Sequence, residues 1–113
     1  MFNRAEARID LARIAANLKH LKQLSGTPVM AVVKADAYGH GLVPVAKTAL
    51  EAGASALGVA LLEEAITLRE AGITAPILAW LVPPGSDFKL AVDNQIELAA
   101  SSIKALEEIG AVK

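Results

Sequence analysis

The sequence predicts an α/β fold, the N-terminal portion of a (β/α)8 barrel of the TIM type. Short β-branched runs alternate with stretches of helical periodicity. The strand starts, near Val29, Ala56, Pro76 and Ile96, recur every 20 to 27 residues, the rhythm of βα units. The length of 113 residues is at most about half of the roughly 250 that a closed barrel of this kind needs. An open doubly wound sheet is the other architecture compatible with alternating units.

Each element has a local cause. Leu11, Ile14, Ala15, Leu18, Leu21 and Leu24 recur at three- and four-residue steps, which makes an amphipathic helix ended by Ser25-Gly26; a short strand is expected ahead of it at Ala7 to Ile9. Val29 to Val33 is an unbroken apolar run, too short and too β-branched for a helix, and reads as a buried parallel strand. Pro44 stands where a first helical turn tolerates it, and the helix it opens runs to Gly53 as cap. The cycle repeats with the strand Ala56 to Ala60 and a helix carrying Glu63 and Glu64 in its first turn and Gly72 as cap. A third unit has the strand Pro76 to Leu81, the loop "VPPGSD" and a short helix near Phe88 to Val92. The fourth has the strand Ile96 to Ala100, Ser101 or Ser102 as N-cap and the helix "IKALEEIG". Four βα units result, with no linker between them. The whole of 1–113 is expected to form the first part of one barrel domain. Because "EEIGAVK" stops where a fifth strand would begin, a longer protein is expected.

Composition narrows the function classes. A formal net charge of −1 provides no electrostatic footprint for nucleic acid or an anionic membrane. There are no cysteines, and therefore neither disulfides nor thiolate metal sites. The charged start "MFNRAEARID" lacks the apolar core of a signal peptide, and no apolar run approaches the roughly 20 residues of a membrane span, so a soluble, cytoplasmic protein is expected.

The chemistry concentrates in "MAVVKADAYGHG", Met30 to Gly41. Parallel βα architectures build their active sites at the C-terminal ends of the strands, and Lys34 stands at that end of the first one. Apolar surroundings favour the free amine that Schiff-base chemistry requires, while an exposed rim would leave an ordinary solvated lysine. Tyr38 adds a flat ring with a hydroxyl. Gly39 and Gly41 suit close backbone approach to a ligand, or an ordinary turn. His40 between them reads equally as a surface histidine or a catalytic one. No second histidine stands at ligand spacing, and no metal site is expected. Phosphate-cradling glycine motifs are absent. From the residues alone the site is a candidate reactive lysine at the mouth of a βα sheet.

"AVVKADAYGHG" closely resembles the pyridoxal-phosphate attachment motif of alanine racemases. "ARIDLARIAANLKHLK", "ALEAGASALGVALLEEAITLREAGITAPIL" and "AWLVPPGSDF" resemble, in order, the family's opening strand and helix, its next two βα units and the loop after its third strand. The resemblance implies an N-terminal (β/α)8 barrel followed by a C-terminal β domain, a head-to-tail homodimer, and interconversion of L- and D-alanine for peptidoglycan. It implies that Lys34 holds pyridoxal 5'-phosphate as an internal aldimine and acts as the base on one substrate face, and that Tyr38 hydrogen-bonds the cofactor phosphate. Asp36 departs from the family's commoner Asn without implying loss of function.

Racemisation takes a proton from one face and returns it on the other, so a second acid/base opposite the lysine is required. In the family this is a tyrosine of the partner subunit. The arginines that face the cofactor ring and the substrate carboxylate also lie beyond residue 113. The segment is thus expected to hold the lysine half-site and to be inactive alone. Trp80 ends the third strand as Lys34 ends the first, where the family often has leucine beside the cofactor; its indole either packs against the cofactor or fills space under the "VPPGSD" loop. A serine or broad-specificity racemase of the same fold, a non-catalytic pyridoxal-phosphate carrier and a half-barrel association module are the alternatives.

Overall fold

The computed structural model describes residues 3–113. Helix α1, Leu11–Ser25, starts where the Asp10 carboxylate accepts the Arg13 N–H at 3.1 Å and ends at Gly26 in the left-handed conformation. Strand β1 is Met30–Val32. It is followed by α2 (Lys34–Gly39), α3 (Leu42–Glu51), β2 (Ala56–Val59), α4 (Leu62–Glu70), β3 (Ile77–Ala79), α5 (Phe88–Asp93), β4 (Ile96–Leu98) and α6 (Ile103–Gly110). Ser102 is the N-cap of α6, its hydroxyl accepting the Ala105 N–H at 3.1 Å. Pro44 lies in the first turn of α3, where a missing N–H costs nothing. Gly53 and Gly72 each stand one residue past the helix caps Ala52 and Ala71.

The four strands are parallel and lie in the order β1-β2-β3-β4, each beside its neighbour in sequence. That order separates the two candidate architectures. A doubly wound sheet reverses strand order and carries helices on both faces, whereas consecutive parallel neighbours with helices on one face form the wall of a (β/α)8 barrel. One face is covered. Val33, Leu57, Val59, Ile77, Ala79 and Ile96 are buried there with Val45 and Ala46 of α3, Ala65 and Leu68 of α4, and Phe88 and Ala91 of α5. Full burial of a Leu, Ile or Val side chain contributes about 1.5–3 kcal/mol, so this face holds most of the stabilisation.

The opposite face carries the alternate residues Met30, Val32, Ala56, Gly58, Leu78 and Trp80. Val32 is 56% exposed. The run Val29 to Val33 is apolar on both sides as expected, yet only one side is covered among the described residues. Helix α1 behaves similarly: Leu18 packs against Ala49 and Ala52 while Leu21 and Leu24 at the lower end of the same stripe remain exposed.

One expectation fails. Ala7 to Ile9 form no strand; the segment is irregular and exposed. A strand exists only by ladder pairing, and this stretch pairs neither with the outer edge of β1 nor with any other strand of the sheet. Its side chains settle instead into an exposed Glu6–Arg8 ion pair.

Candidate active site

Lys34 stands at the C-terminal rim, directly after the last ladder bond of β1, from the Val33 N–H to the Gly58 carbonyl at 2.9 Å. The chain then does something that no local pattern announces. Ala35, Asp36, Ala37 and Tyr38 all take left-handed helical angles, with φ between 51 and 55°, so α2 is a single left-handed turn. For L-residues this costs roughly 1–2 kcal/mol each, and it persists only where the surroundings over-determine it.

The surroundings do so from both ends. At the near end the Ala35 N–H donates to Glu64 Oε2 of α4 at 2.6 Å. At the far end Asp36 Oδ1 accepts the Leu42 N–H at 2.8 Å and so caps α3, which has no side-chain cap at its own N-cap Gly41. The bond needs one side-chain oxygen, which Asn also possesses, so Asp in place of the family's commoner Asn preserves the geometry. Gly41 at φ 99° lets the chain leave the turn and enter α3.

The turn brings two predicted residues together. Lys34 Nζ lies 5.7 Å from the centroid of the Tyr38 ring, within cation–π range. Lys34 joins none of the ion pairs among the described residues. It is half-buried and, with Val32, Tyr38, His40 and residues of α1, α2 and α3, lines a cavity of about 230 Å³ containing no carboxylate. Tyr38 is 72% exposed, so its hydroxyl is available. His40 serves the turn: its Nδ1–H donates to the Ala37 carbonyl at 2.9 Å. A larger groove of about 640 Å³ lies at the opposite rim, lined by Lys19, Lys22 and Gly53, where the Lys22 ammonium is bonded to the Gly53 carbonyl at 3.1 Å.

Trp80 stands two residues beyond the paired row Val32, Gly58 and Leu78, as do Lys34 and Ala60. Its indole is on the open face but leans back toward the N-terminal ends of the strands: a Cβ on Gly58 would lie 2.8 Å from Trp80 Cζ3 and 3.0 Å from Met30 Sδ. Gly58 therefore leaves the space that the edge of the indole occupies over β2. Trp80 also lines a shallow cavity with Val82, Pro83 and Ser101. Glu64 was legible only as an acid in a first helical turn, and its bond to Ala35 carries no sequence signal.

A family model described as alanine racemase, N-terminal domain, matches residues 9–113. The chain belongs to the alanine racemase family. An alanine racemase from Mycolicibacterium smegmatis is 58% identical over 108 residues, 95% of this chain and 28% of the relative. The crystal structure of alanine racemase from a D-cycloserine-producing Streptomyces lavendulae superimposes with a TM-score of 0.89 at 45% identity, covering 91% of this chain and 27% of that one. A histidine racemase from Leuconostoc mesenteroides also superimposes, with a TM-score of 0.82 at 34% identity over 88% of this chain and 27% of that one. The chain thus spans little more than a quarter of the length of the alanine racemases it matches. Among the described residues no helix is long and apolar enough to cross a membrane.

Proposed function

We propose that this chain is the lysine-bearing part of a pyridoxal-phosphate-dependent alanine racemase, an isomerase that interconverts L- and D-alanine and supplies D-alanine for peptidoglycan. The carrying observation is Lys34: an amine with no ion-pair partner among the described residues, at the C-terminal rim of β1, one left-handed turn from a tyrosine. The residues present suit the cofactor. Lys34 would hold its aldehyde carbon and the Tyr38 hydroxyl would donate to its phosphate, with no carboxylate in the cavity lining to repel that dianion.

When bound, pyridoxal phosphate supplies the electron sink that makes a substrate Cα proton removable. This chain supplies placement. Lys34 Nζ takes the proton from one substrate face or returns it there, and the clamped turn keeps the amine at a fixed height on the rim. The opposite face needs its own acid/base. Tyr38 is held beside Lys34 and faces the phosphate on this reading, and the likeness to alanine racemases implies that the opposite group is a tyrosine of a partner subunit in a cytoplasmic homodimer. Trp80 stands in the same row as Lys34 with its indole folded back over Gly58, where it would line the open sheet face below the cofactor.

The test is borohydride reduction of the cofactor-loaded intact protein followed by peptide mapping. Label on Lys34 is expected; label on Lys19, Lys22 or Lys47 instead overturns the reading. Tyr38→Phe should weaken cofactor binding about tenfold, the value of one charge-assisted hydrogen bond, without moving the label. In a variant with every other tryptophan replaced, cofactor addition should quench Trp80 emission; unchanged emission at saturation assigns Trp80 to loop support. The likeness to a histidine racemase favours a second reading, a racemase of another or broader amino-acid range. A panel of L-amino acids offered to the intact protein separates the two, with alanine expected to lead.

A further inference from the structure

Glu64 does more than the start of a helix requires. As the third residue of α4 it reaches back so that Oε1 accepts the Leu61 N–H at 2.8 Å and the Ala60 N–H at 3.2 Å, the ordinary duty of an acid in that position. Oε2 has no part in that duty. It crosses to the neighbouring βα unit and accepts the N–H of Ala35, the residue directly after Lys34, at 2.6 Å. We infer that Glu64 is a positioning residue for Lys34, fixing the peptide between Lys34 and Ala35 and with it the direction in which the lysine side chain leaves the rim.

The backbone explains why this peptide needs an external hold. Val33 has φ −121° and Ala35 has φ 53°, so the chain changes hand across Lys34. Beyond the last ladder bond, from the Val33 N–H to Gly58, β2 supplies no acceptor for the Ala35 N–H, and rotation of this peptide would swing the lysine. Glu64 provides the acceptor from another element. Because the same carboxylate also gathers the N–H groups of Ala60 and Leu61, the lysine is keyed to the end of β2 at the level of its own row and not merely to its own strand. Asp36 closes the other end of the turn on α3, which leaves Glu64 as the clamp adjacent to the lysine.

This inference rests on Lys34 as the cofactor-bearing residue. Glu64→Gln keeps size but sets an amide NH2 against one group of N–H donors. Glu64→Asp keeps charge and an acid in the first turn but is one methylene too short to reach Ala35. Both are made in the intact protein, and the cofactor is removed. Two rates are then measured: amide exchange in the peptide spanning 33–41, and the appearance of borohydride-fixable label on Lys34 after pyridoxal phosphate is added. Each variant should exchange the Ala35 amide about tenfold faster and take up label about tenfold more slowly, reaching the wild-type stoichiometry in the end. If Glu64→Gln fails to fold, Glu64→Asp decides. Wild-type uptake rates in the folded variants, even with a lowered melting temperature, reduce Glu64 to a helix cap and overturn the inference. The wild-type control separates the two failures: label on another lysine refutes the assignment of Lys34 itself, whereas label on Lys34 with unchanged variant rates refutes only the role of Glu64.

Discussion

The two rims of the sheet are each organised by one charged side chain of the same helix, α4, and they do opposite things. At the C-terminal rim Glu64 accepts three backbone N–H groups, those of Ala35, Ala60 and Leu61. At the N-terminal rim Arg69 donates to four carbonyls: Nε to Asn94 at 2.9 Å, one terminal nitrogen to Ile73 and Ala75 at 2.9 and 2.7 Å, and the other to Gln95 at 2.9 Å. The N–H groups that Glu64 gathers lie at the starts of α2 and α4, and the carbonyls that Arg69 gathers lie at the end of α5 and in the loops entering β3 and β4. The difference lies in what is held. Arg69 ties the loops that enter β3 and β4, whose only non-glycine residue at positive φ is Gln95. Glu64 holds one end of four consecutive strained residues next to the lysine. A barrel thus spends its lower rim on stability and its upper rim on placing chemistry.

Lys34→Ala should sharpen the contrast most. Racemisation by the intact protein should fall by at least about 10²- to 10⁴-fold, the contribution of an acid/base group alone, because the cofactor anchor is lost with it. Stability of the cofactor-free form, followed by urea unfolding, should stay within about 0.5 kcal/mol. A large stability loss would mean that the upper rim is also structural. Arg69→Ala should do the converse, lowering stability by about 2–3 kcal/mol because four carbonyls lose a half-buried partner, with kcat/KM changed less than about threefold. Loss of activity with intact stability would break the division between the rims.

Between the rims, Gly58→Ala pushes a methyl against Trp80 and Met30 and should cost about 1–3 kcal/mol by overpacking. In a double-mutant cycle, Trp80→Leu should recover most of that loss; additivity would mean that the ring does not lie over Gly58. The smallest effect is the most specific to the upper rim. Ala35→Gly relieves left-handed strain at an exposed position and, after the entropy that glycine loses on folding, should stabilise by about 0.5–1 kcal/mol in a melting experiment. Destabilisation would show that the turn is not strained.

Much of the fold is legible locally. Ser101 or Ser102 ahead of α6 and the glycines after α1, α3 and α4 mark helix ends because capping is chemistry within a few residues, whereas the choice of Ser102 and the cap Asp10 came from the structure. The strands announce themselves as short β-branched runs. The strand expected at Ala7 to Ile9 fails for the complementary reason, since its residue types are suitable and its partner is absent. At the site, Lys34 and Tyr38 are readable as chemistry, but their proximity depends on a handedness that Ala, Asp, Ala and Tyr do not signal. His40, equally readable as surface or catalytic from its neighbours, bonds the Ala37 carbonyl within the turn and also lines the cavity of Lys34.

The sequence alone determined the alternation of strand and helix, the position of the lysine at a strand end and the family to which the chain belongs, because periodicity, capping and motif are short-range patterns carried by neighbouring residues. Only the tertiary structure decided that the sheet winds one way with its helices on one face, that the chain changes hand after Lys34, and that Glu64 and Arg69 hold opposite rims. Those outcomes depend on partners 29 residues apart, as for Ala35 and Glu64, or 26 apart, as for Arg69 and Gln95. A hydrogen bond across such a distance leaves no periodic trace in the chain, and it forms only once the packed face of the sheet has brought the two groups within reach.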